Sequence, residues 1–272
     1  MRNHKICEVP EVLLGSVDER WEKNTIYNHY ENPLDFMDDV IASSTLPSCS
    51  AKARNYIKAG EKAFKEIECK DVTYDKLYQD VAERVKSKLK ARGFTTAMLY
   101  SEVEFSTENT GVMSKTRAML GRRDCYYKNP SMTDGKLFHD IYINLSYSFG
   151  VSDATIIKNS YAIYALTKEL ARLIPMRVIV VNHVGTTIPT CYSYVLKKFG
   201  LPLDPKQFLF FTAESKRTFG WATYDILNDG ANKSSTVGSP EGSVSIAKFN
   251  LDKEIDNIFN KVKTQAPELF RR

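Results

Sequence analysis

Apolar positions along the chain follow a helical period in the first third and fall into short strand-like runs separated by helices after about residue 138. Asn32-Pro33 followed by LDFMDDVIASS is a helix start, with proline at the first helical position and carboxylates in the early turns. A second helix is expected over 51–67. A third, over 74–91, places Tyr74, Leu77, Tyr78, Val81, Val85 and Leu89 on one face and Lys76, Glu83, Arg84, Lys86, Lys90 and Arg92 on the other. Gly93 supplies its stop.

The stretch TTAMLYSEVEF is rich in β-branched and aromatic residues and reads as a strand. Gly111, Gly121, Pro130 and Gly135 then break the chain, leaving room for one short helix around 115–120. HDIYINLSYSF is the next strand. A long helix over 152–174 follows, with Ser152 as its N-cap and Asp153 in its first turn. Pro175 ends it, and MRVIVVNHV is a nearly continuous apolar strand of the kind covered on both faces. PTCYSYVLKKFG is expected to be a helix ending at Gly200, and PKQFLFFTA another buried strand. A short helix over 221–227, a strand in GSVSIAKF and a helix in LDKEIDNIFNKVK complete the series. Strands alternating with helices predict an α/β fold, a mostly parallel Rossmann-like sheet with helices on both faces. The expected division is a helical N-terminal region, 1–95, packed on an α/β domain, 96–272, that carries a basic segment at 113–130.

Charge changes this picture by its placement. The 272 residues carry a formal charge of only +5, with 43% hydrophobic and 26% charged positions. The first forty residues are acidic, whereas Arg84, Lys86, Lys88, Lys90, Arg92, Lys115, Arg117, Arg122, Arg123 and Lys128 face only Glu102, Glu104, Glu108 and Asp124. Such a belt suits a polyanion. The five cysteines have no CxxC spacing, so neither a disulfide framework nor a zinc site is indicated. Acidic residues interrupt the apolar N-terminus, which does not read as a signal peptide, and no apolar run approaches a bilayer span.

Candidate chemistry is sparse. No P-loop, GxGxxG, HExxH or GxSxG pattern is present. The end of the first strand of the regular series, Asn144 to Asp153, occupies the place where open α/β sheets bind ligands. There Asn144, Ser146 and Ser148 resemble the D-x-S-x-S metal motif of von Willebrand factor A domains, with a neutral Asn in place of the carboxylate that hard cations favour. Hydroxyls capping a strand end and the following helix explain the same residues. His183 lies near a strand end without a partner in sequence, and Glu102 and Glu104 share a strand face without a basic partner. Cations interleaved with aromatics remain. Lys115, Arg117, Arg122, Arg123 and Lys128 surround Tyr126 and Tyr127. Lys216, Arg217, Phe219, Trp221 and Tyr224 form a second cluster, expected in a mobile loop. Single-stranded nucleic acid is held by this combination.

KTRAMLGRRDCYY, DIYINLSYSFGVSDATIIKNSYAIYALTKELARL and RVIVVNHV resemble a domain of unknown function common in tailed phages, with a von Willebrand A-like order of elements. The likeness covers about 113–184 and implies a phage protein, but no activity. In size and basic belt the chain is similar to single-stranded-DNA-binding cofactors of lytic podophages, which recruit the phage RNA polymerase to unwound promoters. The expectation is therefore a non-enzymatic phage protein of the host cytoplasm that binds single-stranded DNA in transcription or replication, with phage-encoded RNA polymerase as protein partner and no cofactor. Its contacts would be Lys115, Arg117, Arg122, Arg123, Tyr126, Tyr127 and Lys128, with Lys86, Lys90 and Arg92 and with Lys216, Arg217 and Trp221. The alternative is a protein-interaction module that binds through the 144–153 edge.

Overall fold

The computed structural model describes residues 26–47, 49–68, 76–93, 105–106, 119, 126–127, 139–146, 151–171, 176–184, 190–198, 203–228 and 243–265. In chain order the strands are β1 (Ile26–Tyr30), β2 (Phe105–Ser106), β3 (Tyr126–Tyr127), β4 (His139–Asn144), β5 (Met176–Val184), β6 (Thr190–Lys197) and β7 (Val244–Ser245). The helices are α1 (Pro33–Ser43), α2 (Ala51–Glu68), α3 (Lys76–Ala91), α4 (Asp153–Leu170), α5 (Pro205–Leu209), α6 (Trp221–Asn228) and α7 (Leu251–Gln265). Two π-helical segments, Phe210–Glu214 and Lys216–Gly220, join α5 to α6.

Five strands form one mixed sheet in the order β1-β6-β5-β4-β7, flanked by helices. β4 runs parallel to β5 and to β7, and β1 parallel to β6; only β5 and β6 are antiparallel. The sheet is thus mostly parallel, within the expected α/β class. β2 and β3 pair separately and antiparallel.

Alternation along each strand divides the sheet side chains between two apolar clusters. Ile141, Ile143, Leu145, Val178, Val180, Tyr194 and Leu196 join residues of the helices in the larger one. Aromatic rings knit that layer: Phe36 stacks on Tyr194 at 5.0 Å, Phe64 meets Phe210 edge-on at 5.0 Å, and Tyr164 lies 5.3 Å from Phe208. Tyr142, Ile179, Val181, Cys191 and Val195 form the second cluster, with Tyr27 packed against it, all from strands. Among the described residues no helix is long and apolar enough to cross a membrane.

Several expectations change. Residues of α1, α2 and α3 join the larger apolar cluster, and the IYNHY stretch before them supplies β1, the sheet's edge. Five residues are too few to show a period, and pairing with β6 decides their conformation. PTCYSYVLKKFG is no helix; Thr190 to Lys197 form β6 and return antiparallel to β5, where their β-branched and aromatic side chains pack well. PKQFLFFTA is no strand. Asp204 accepts hydrogen bonds from Lys206 N–H and Gln207 N–H, Pro205 opens the helix, and helical backbone continues to Asn228. The second cation–aromatic cluster therefore lies on helix instead of a mobile loop. Of the GSVSIAKF strand, Val244–Ser245 alone among the described residues pair, with β4. Of the expected 95–105 strand only Phe105 lies among the described residues, and of the short 115–120 helix only Met119, which is exposed.

Candidate functional site

The carboxyl end of β4 meets that of β5. Asn144 is buried, and its Oδ1 accepts a hydrogen bond from Ser146 N–H at 2.7 Å. Ser146 Oγ in turn accepts from His183 N–H at 3.1 Å and lies 3.4 Å from His183 Nδ1. Lys216, from the second π segment, donates to the Leu145 carbonyl. Arg217 beside it is ion-paired with Asp153 in the first turn of α4. Gly220 permits this closeness: a Cβ there would come within 3.3 Å of Asn182 Nδ2 and 3.4 Å of Lys216 Cγ.

Burial sets the electrostatics of this end. It lowers the Lys216 ammonium to about 7. His183 is pushed down to about 4, first by burial and then by the charge of Lys216. A neutral ring of such low basicity is a poor proton acceptor for Ser146 at neutral pH. The Oγ is also occupied by the His183 N–H, so the pair's evident work is to join β4 to β5. Asn144 is similarly engaged in its own turn, and the described residues include no group of three or more His, Cys, Asp or Glu that could hold a metal ion. Asn182 Oδ1 and His183 Nε2 are buried without a hydrogen-bond partner among the described residues. Ser148 lies outside those residues.

The cations predicted to contact nucleic acid have different fates. Lys216 is half-buried and donates to a backbone carbonyl, and Arg217, partly exposed, is paired as above. Trp221 is half-buried and meets Tyr224 edge-on at 5.8 Å. On α3, Lys86 lies 3.9 Å from Glu169 of α4 and Lys88 pairs with Asp252 of α7; just past the helix, Arg92 is 2.9 Å from Asp256 of α7. These pairs tie α3 to its neighbours, and Lys90 of the same helix is exposed. Lys115, Arg117, Arg122, Arg123 and Lys128 lie outside the described residues. Tyr126 and Tyr127 are β3, with Tyr127 across from Phe105 and Tyr126 across from Ser106.

One cationic surface escaped the sequence reading. Arg54, Lys58, Lys62 and Lys65 recur every three or four residues along α2 and are all exposed. That spacing puts them on one face and was visible in AKARNYIKAGEKAFKEIE, whose three glutamates mask it in any count of net charge. No family model, curated protein or solved structure matches the chain.

Proposed function

We propose that this chain binds single-stranded nucleic acid, most directly single-stranded DNA, as a phage cofactor of transcription or replication. The observation that carries the reading is the separate ladder of β2 and β3, which sets Phe105 across from Tyr127. Arg122, Arg123 and Lys128 flank the same strand in sequence. A ladder holds aromatic residues at fixed spacing. Aromatic faces stack on bases at about 1–3 kcal/mol each, while the flanking cations neutralise phosphates. Arginine can do either. Stacking of this kind needs base faces that a single strand offers and a duplex hides. The phage setting rests on the sequence resemblance over about 113–184, and a phage-encoded RNA polymerase as protein partner on the similarity in size and basic belt alone.

Fluorescence anisotropy with labelled oligonucleotides at low salt tests the reading. Arg122→Ala combined with Arg123→Ala is expected to weaken binding about tenfold or more on every sequence alike, because phosphate contacts position a strand without reading its bases. Unchanged affinity in the double variant, or a preference for duplex over single strand, contradicts it.

A further inference from the structure

We propose that α2 is a second contact for the same nucleic-acid strand, a row of cations that lies along its phosphates; the inference rests on the single-strand-binding reading above. The row consists of Arg54, Lys58, Lys62 and Lys65, separated by four, four and three residues. At about 1.5 Å rise per residue it extends for roughly 16 Å, enough to follow several phosphates of an extended strand. Its outward direction is fixed by the opposite face of the helix. Ala53, Ile57 and Gly60 are buried there, and Gly60 is pressed so close to Phe219 that a Cβ would lie 2.8 Å from the ring.

The carboxylates near the row do not consume it. Lys62 is 3.8 Å from Glu66, but the two side chains are 78% and 59% exposed. A pair so open to water contributes little, so it yields readily to a polyanion. The Lys62–Glu66 pair lies within one helix, whereas Lys86, Lys88 and Arg92 pair with acids of other helices. No aromatic side chain falls within the α2 row; Tyr56 lies on another flank, where Lys52 reaches over its ring. The row therefore tracks phosphate and reads no base.

The test compares three full-length proteins on a labelled oligothymidylate across a salt series: wild type, Lys58→Glu/Lys62→Glu, and a control with the same charge change elsewhere, Lys248→Glu/Lys253→Glu. Both control lysines are exposed. The α2 variant is expected to bind about tenfold more weakly at low salt. Its log affinity against log salt should be shallower by about 1.4, the loss of two single-strand phosphate contacts. The control should stay within about twofold of wild type. An α2 variant that matches wild type overturns the row while leaving the single-strand reading intact. A control that loses as much as the α2 variant overturns it too, since the effect is then one of overall charge. No binding by wild type removes both. Helicity by circular dichroism accompanies each protein, and Lys58→Gln/Lys62→Gln reads the same slope should the reversal disturb α2.

Discussion

Burial removes water from the His183 ring, and the ammonium of Lys216 opposes its protonation further, so its pKa falls from 6.5 to about 4. Between these values the unfolded chain binds the proton and the folded chain does not. The His183 contribution to stability is then fully present above pH 6.5 and is lost as pH falls toward 4, on the order of 3 kcal/mol in all. Urea unfolding of wild type and His183→Gln over that range checks this; the variant should show a flatter profile, and parallel profiles contradict it. Gly60 makes a second point at this scale. Alanine is the better helix former by about 1 kcal/mol. Here, however, its methyl would meet Phe219 Cε1 and Cζ at 2.8 Å and Thr218 Oγ1 at 3.0 Å. Phe219 is fully buried against Phe210 and has nowhere to turn. Gly60→Ala is expected to destabilise by about 1–3 kcal/mol through overpacking, measured by chemical denaturation; a more stable variant contradicts that packing.

Among the elements, those whose ends and faces both carry signals were legible in the sequence. α1 has Asn32 as cap and Pro33 at its start, and α4 has Ser152, so their beginnings were placed correctly. α3 shows its stripe in Tyr78, Val85 and Leu89, all buried, and Gly93 ends it at a positive φ of 82°. FLFF defeated the same approach because a short, fully apolar run has no polar side to reveal its period. Its true signal was local: Asp204 before Pro205, an N-cap followed by a first-turn proline. Asp204→Ala should therefore cost about 1 kcal/mol of stability by thermal or chemical melting; no loss would mean the cap is idle. The π turns were invisible because Ser215 N–H to Phe210 O and Gly220 N–H to Ser215 O replace the usual spacing, a choice made by packing against β5 and α2. TCYSYV became a strand for a comparable reason. Tyr194 and Val195 each find an apolar layer on opposite sides of the sheet, which a helix would not supply.

For the molecule as a whole, charge placement matters more than its small net excess. Lys86, Lys88, Arg92 and Arg217 form ion pairs within the fold, and Lys216 is half-buried at a strand end, so part of the apparent basic belt serves assembly of the fold. Sequence could not separate these from solvent-facing cations, since the partners, Asp252, Asp256 and Glu169, lie far along the chain. What is left for a polyanion in this account is the Arg122–Lys128 segment, which flanks β3 in sequence, the row on α2 and the exposed Lys90 of α3. All act through phosphates, so counterion release must appear whenever binding does. The most direct measurement is a salt titration of wild-type protein on a labelled single-stranded oligonucleotide. The account predicts tight binding at low salt, with log affinity falling linearly against log salt by about 0.7 for each phosphate neutralised. Absence of binding at low salt, or an affinity that salt does not change, would contradict it.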